Sequence, residues 1–203
     1  MKTVITACDI PLAGEVVVAS GSIITMDARD LARARGVTIR EVAKADVPVV
    51  GTPATTVALG SDHGGFVMKE ALKPLLLELG LVVHDVGVRQ NETADYPDQA
   101  LAVAEAVASG AAARGILVDG AGIGSAMAAN KVPGIRAALC YDLATARNSR
   151  EHNHANVLTL GGRLITQTQA EAVVRVWVAT PYGGGRHQAR IDKITAIERK
   201  YSK

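Results

Sequence analysis

From Thr56 to the C-terminus the apolar residues arrive in short dense runs, Val57-Ala-Leu59, Leu81-Val-Val83, Ile116-Leu-Val118 and Val157-Leu-Thr-Leu160, each bounded by glycine or a polar turn. Runs this short and this rich in branched side chains predict strands buried on both faces. A further strand is expected at Ile135-Arg-Ala-Ala-Leu-Cys140. Between these runs the period lengthens to that of a helix: Phe66 to Leu79, closed by Gly80; Tyr96-Pro-Asp and on through Ala100 to Ser109; a stretch from Asp142; Gln167 to Val178; and a last one from near Arg186 to Arg199. Pro74 inside the first of these predicts a kink or a restart. Strands alternating with crossover helices imply a parallel sheet covered on both faces.

The opening residues read separately. Glu15-Val-Val-Val-Ala19 and Ser22-Ile-Ile-Thr25 are two short strand candidates, and Met26 to Arg35 places Ala28, Leu31 and Ala32 on one helical face before Gly36 stops it. Val37 to Val42 is another strand candidate, and Pro48 with Gly51-Thr-Pro-Ala-Thr55 reads as a linker. The expected division is an accessory extension over 1–50 and a main domain over 55–203.

With 203 residues, 48% of them hydrophobic, the chain suffices for one sizeable core and an appendage. No apolar run reaches membrane-spanning length and the first residues lack a signal peptide's layout, so no membrane partner and a cytoplasmic location are expected. Cys8 and Cys140 give neither a disulfide framework nor metal spacing. A net charge of +2 and an aromatic content of 3% argue against a nucleic-acid partner. A small anionic ligand remains compatible.

Candidate chemistry centres on Arg114 to Lys131, which reads as strand, tight loop and helix. Asp119 ends the strand, and Gly120, Gly122 and Gly124 alternate through the loop, letting backbone N–H groups approach an oxyanion or phosphate. The spacing is neither the dinucleotide fingerprint nor a P-loop, and an Asp at such a turn also serves as a plain helix cap. Function in such sheets collects at strand carboxyl ends. Asp62 and His63 follow the first main strand, although a histidine beside a Gly-Gly turn is also an ordinary loop residue. His152, Asn153 and His154 fall at the opposite end of their strand, which predicts a dimer whose copies share sites. His152-x-His154 has the look of a metal pair but lacks a third ligand of recognisable spacing, so no metal is expected. Arg186 and Arg190, four apart after three glycines, suit a phosphate, or equally a solvated first turn.

Taken together, Gly60-Ser-Asp-His-Gly-Gly-Phe66, Asp95-Tyr-Pro97, the glycine loop leading to Ala128-Ala-Asn-Lys-Val-Pro-Gly-Ile-Arg-Ala-Ala138, Ser149-Arg-Glu-His-Asn153 and Tyr182-Gly-Gly-Gly-Arg-His-Gln-x-Arg190 resemble the type B ribose-5-phosphate isomerases and their relatives, the galactose-6-phosphate isomerase subunits. The resemblance runs from Thr56 to the C-terminus. It implies a Rossmann-like three-layer α/β/α sandwich with a five-stranded parallel sheet, a homodimer or dimer of dimers, no cofactor, and aldose–ketose isomerisation of a phosphosugar between subunits. It implies His152 as the acid that opens the sugar ring, with Asp62 or a water taking the anomeric hydroxyl proton. Tyr96 and Asn153 would orient sugar hydroxyls, and His63, Arg186 and Arg190 would hold the phosphate. Amides of Gly120 to Gly124, with the Ser125 hydroxyl, would receive the enediolate.

The chain departs from the family at the base. The usual cysteine is replaced by Asp119 and the threonine two residues on by Ala121, while the subgroup that uses a glutamate puts it where Ser125 stands. Either Asp119 is the base, a carboxylate needing no prior loss of a proton near neutrality, or the chain is a non-catalytic sugar-phosphate-binding subunit that acts with a paralogue. In the extension, Ile23-Ile-Thr-Met-Asp-Ala-Arg-Asp-Leu-Ala32 followed by Gly36-Val-Thr-Ile39 resembles short modules of bacterial microcompartment proteins. That likeness implies shell or cargo proteins as partners of residues 1–50 and a location inside such a compartment.

Overall fold

In the computed structural model, residues 4–5, 10, 14–42, 55–89 and 93–202 are described. Cys8 and the linker expected at Pro48 and 51–54 lie outside them. The chain divides into two compact units, 1–54 and 55–203.

In the first unit β1 (Val4–Ile5) pairs in parallel with β3 (Ile23–Ile24), and β2 (Glu15–Ala19) with β4 (Thr38–Val42). Helix α1 (Met26–Arg35) starts at Thr25, whose hydroxyl accepts the Ala28 N–H, and ends at Gly36 in the left-handed region (φ 65°). Ile10, Val16, Val18, Ala28, Ala32 and Val37 form its small core. Arg40 and Glu15 pair across β2 and β4 at 2.9 Å.

The second unit is a Rossmann-like α/β/α sandwich. Its strands are β5 (Thr56–Ser61), β6 (Val82–Asp85), β7 (Arg114–Asp119), β8 (Ala137–Leu139) and β9 (Val157–Gly161), all parallel in the order β6-β5-β7-β9-β8. The helices are α2 (Phe66–Glu78), α3 (Tyr96–Ala108), α4 (Ile123–Ala129), α5 (Leu143–Glu151), α6 (Gln167–Ala179) and α7 (Gln188–Tyr201). Two cores flank the sheet. One joins Val57, Leu59, Ile116 and Leu158 to Leu72 and Leu76 of α2 and to Val173 and Trp177 of α6. The other joins Ala58, Leu117 and Val157 to Ala100, Val103 and Ala104 of α3 and Ala129 of α4. Side chains alternate along each strand, so one apolar run supplies both faces.

Three sequence expectations change. Pro74 lies within α2, which runs from Phe66 to Glu78 and so does not restart there. The strand expected from Ile135 to Cys140 contracts to Ala137–Leu139. Arg186 sits in a 3-10 turn, Gly185–His187, and α7 begins only at Gln188. Gly184 and Gly185 adopt positive φ, of 59° and 53°, which turns the chain before the helix can start.

Two polar features frame the sheet. At the β6 edge, the fully buried Lys69 of α2 donates to Asp85 and to the Val88 carbonyl, both at 2.7 Å. Lys73 lies 2.6 Å from Asp85 and 2.7 Å from Glu70. Burial alone would raise the Asp85 carboxyl, but hydrogen bonds from Lys69 and Lys73 outweigh it and hold it below the usual range. At the β8 edge, the Asn130 amide accepts the Ala137 N–H and donates to the Ala137 carbonyl, each at 2.9 Å.

Candidate functional site

At the strand carboxyl ends three loops converge. After β5, the buried Asp62 closes its own turn, with Oδ1 accepting the Gly65 N–H at 3.0 Å. His63 is exposed and bonds through Nδ1 to the Ala94 carbonyl at 3.2 Å, spanning to the segment before α3. Tyr96, the first residue of α3, lays its ring on Gly124; a Cβ there would come within 2.5 Å of it. The predicted residues Tyr96 and Gly124 thus meet at the mouth of the glycine loop, with His63 tied to the segment just before Tyr96.

Asp119 ends β7 and is buried, 4% exposed. Its Oδ1 accepts the N–H groups of Ala121, at 2.7 Å, and of Gly122; its Oδ2 accepts that of Ser125 at 3.0 Å. This corrects the expectation that Gly120 to Gly124 present all their amides to an outside anion. A carboxylate one step before a tight loop reaches back into the loop's own donors, as an Asx turn does. Ser125, buried, takes part through its backbone. The amides of Ile123 and Gly124 have no acceptor among the described residues. Gly122 is left-handed (φ 78°), and a Cβ there would lie 2.5 Å from Leu139 Cδ1, so the loop conformation requires glycine.

The loop carbonyls are held from the other side. The Tyr141 hydroxyl donates to the Ala121 carbonyl at 2.7 Å and the buried Thr159 hydroxyl to that of Gly122 at 2.8 Å. After β9, Gly162 N–H donates to the Asp119 carbonyl at 2.7 Å and Arg163 N–H to that of Gly120 at 3.1 Å. The exposed Arg163 side chain runs beside Gly120, its Cδ 3.7 Å from where a Cβ would stand. Sequence reasoning missed Arg163, although a Gly161-Gly-Arg163 turn at a strand's carboxyl end was the available signal. It also missed Tyr141.

The remaining predicted residues gather at the opposite end of the sheet. His152 caps the C-terminus of α5. Asn153 donates to Asn148 Oδ1 at 3.3 Å, which directs the Asn148 amide nitrogen to His152 Nδ1 at 2.9 Å and leaves Nε2 to carry the ring proton. The ring stacks on His187, with centroids 4.3 Å apart and planes 10° apart. Burial, and then the neighbouring His152, Arg186 and Arg190 side chains, hold the His187 imidazole below the usual histidine range. His154 stacks instead on Tyr182 at 4.4 Å. Among the described residues no group of three or more His, Cys, Asp or Glu is placed to hold a metal ion.

Positive charge accumulates beneath these rings. Arg114 donates to the Val178 carbonyl, Arg136 to that of His154, and Arg150 to those of Ala155 and Thr180. Carbonyl acceptors satisfy the donors without neutralising them. Burial, then Arg114 and Arg136, push Arg150 down to about 10. Arg186 and Arg190 are exposed just beyond.

Within one copy the two groups stay apart. The pairing Gly115↔Val157 at one end and Asp119↔Gly161 at the other puts them at opposite ends of β7 and β9. At about 3.3 Å per residue, the strand length between them exceeds the reach of one hydrogen bond several-fold.

Comparison with known proteins places these features. Residues 57–194 match the family described as Ribose/Galactose Isomerase. The chain is 44% identical over 144 residues to ribose-5-phosphate isomerase B of Escherichia coli, covering 71% of this chain and 97% of that protein. Its fold superposes on ribose-5-phosphate isomerase B of Clostridium thermocellum with a TM-score of 0.71 at 49% identity, covering 72% of this chain and 99% of the other. The Mycoplasma genitalium ribose-5-phosphate isomerase B, solved with bound ribulose-5-phosphate, gives 0.69 at 38% identity, covering 71% and 97%.

Proposed function

The chain belongs to the ribose/galactose isomerase family, and from that premise we propose that it interconverts ribose 5-phosphate and ribulose 5-phosphate through a cis-enediolate, with Asp119 as the base. Sugar-phosphate isomerisation is the activity named for its relatives. The observation that carries the finer reading is the fixing of the Asp119 carboxylate by three backbone N–H groups at the carboxyl end of β7. A carboxylate offers about four lone-pair directions. Oδ1 uses two and Oδ2 one, so Oδ2 keeps the direction that takes the C2 proton and returns it to C1.

The site is completed by a second copy of the chain. His152 of that copy protonates the ring oxygen from Nε2 as the ring C–O bond breaks, and the proton that Asp62 or a water takes from the anomeric hydroxyl restores the imidazole. The free amides of Ile123 and Gly124 receive the enediolate oxygen. Tyr96 and Asn153 orient hydroxyls, and His63, Arg163 and the second copy's Arg186 and Arg190 hold the phosphate. Binding energy spent far from C2 then aligns the reacting carbon. Residues 1–50 supply an address, with microcompartment shell or cargo proteins as partners.

One observation favours a second reading. Amides expected to meet the substrate's anion already meet the chain's own carboxylate, which suits a sugar-phosphate-binding subunit working with an active paralogue. Purified protein given ribose 5-phosphate alone separates the two. Ribulose 5-phosphate appearing at enzymatic rates supports the isomerase; tight binding without turnover supports the partner subunit.

A further inference from the structure

The peptide between Ala121 and Gly122 is gripped from both sides. Its carbonyl accepts the Tyr141 hydroxyl at 2.7 Å, and its N–H donates to Asp119 Oδ1. A trans peptide is planar with C=O and N–H pointing in opposite directions, so fixing the oxygen on one side aims the hydrogen at the other. The next peptide repeats the device, with Thr159 on the Gly122 carbonyl and the Ile123 N–H left facing away. Thr159 is fully buried within β9, whereas Tyr141 is 37% exposed and stands just after the edge strand β8. The core therefore builds in one clamp, and a single surface side chain supplies the other.

We propose that Tyr141 is a positioning residue for proton abstraction: its hydroxyl sets the rotation of the 121–122 peptide and thereby the direction in which Asp119 presents Oδ2. Donation to the carbonyl also polarises the peptide and strengthens its N–H as a donor to the carboxylate. Without the hydroxyl, the peptide turns more freely and the carboxylate loses its fixed aim at C2. The inference rests on the reading of Asp119 as the base.

Two measurements on Tyr141→Phe, which keeps the ring and removes only the hydroxyl, test it. With ribose 5-phosphate, kcat falls by about three- to tenfold, the size expected for one neutral hydrogen bond, while KM is unchanged. The isotope effect on kcat with C2-deuterated substrate also rises, because proton transfer becomes more rate-limiting. A merely structural tyrosine would lower the thermal midpoint and leave the isotope effect alone, and that outcome overturns the proposal. The second measurement needs no turnover: in 15N-labelled protein the Gly122 amide proton resonance moves upfield in Tyr141→Phe, as its bond to Asp119 weakens. A Gly122 resonance that stays in place overturns the proposal even if the chain is active. Failure of the unmodified protein to convert ribose 5-phosphate would count against the proposed function, and the Gly122 shift would still decide whether Tyr141 sets the loop.

Discussion

At Asp119 a loop brace and the proposed base are the same side chain, and substitution separates the two roles. Asp119→Asn retains an oxygen for some of the loop amides but has no carboxylate to take a proton. We expect kcat to fall by about a thousandfold or more, with phosphosugar affinity largely kept, as for loss of a general base; steady-state kinetics beside a binding titration checks this. His154 gives a second residue-level prediction. Burial, and then Arg150, Arg136 and Arg114, hold its imidazole below its ordinary value of 6.5. The unfolded chain therefore binds more protons in acid, so the stability from a neutral His154 is present above about pH 6.5 and is lost as pH falls below it. Asn tolerates the left-handed backbone at this position (φ 48°) and does not titrate. His154→Asn should flatten the decline in thermal midpoint between about pH 7.5 and 5.5. At this scale the sequence showed that Asp119 ends a strand before alternating glycines. The direction of its carboxylate was not legible, because that depends on how the loop's peptides rotate, and Tyr141 and Thr159 enter that decision from distant segments. Arg163 was hidden for a similar reason: nothing local says that its turn lies beside Gly120.

At the scale of elements, period and glycine punctuation sufficed for the main domain's strands and helices. They failed where tertiary contacts set the boundary. Arg186 has helical spacing to Arg190, yet the two left-handed glycines before it leave room only for a 3-10 turn. The tie between α2 and β6 is another tertiary fact, since Lys69 is wholly buried and its partner Asp85 comes from a separate strand. Removing Asp85 leaves that buried ammonium only the part-exposed Glu70, 3.0 Å away, and the Val88 carbonyl, whereas replacing Lys69 by an apolar side chain removes the charge and leaves Asp85 its contact with Lys73. Asp85→Asn is therefore expected to cost about 1–3 kcal/mol and Lys69→Met distinctly less. Urea unfolding of both variants reads the difference, and the reverse order would refute this account of the pair.

For the whole molecule, the proposed sharing of a site between copies, with Asp119 and His152 at opposite ends of the sheet within one copy, would make activity a property of the assembly. Neither Asp119→Asn nor His152→Asn alone should turn over substrate efficiently. When the two are unfolded and refolded together, half the sites in each mixed dimer recover both intact groups, so roughly a quarter of wild-type turnover should return. No recovery would mean that each copy works alone. Removing residues 1–50 should leave kcat/KM for ribose 5-phosphate within about twofold, as expected for a separate compact unit. Among the described residues no helix is long and apolar enough to cross a membrane.

Asn130 adds one more consequence at this scale. By matching both backbone groups of Ala137, its amide impersonates a neighbouring strand one residue long. An incoming chain seeking to extend the ladder at that point finds its donor and acceptor already matched, which discourages fibril-like stacking of concentrated protein along this border.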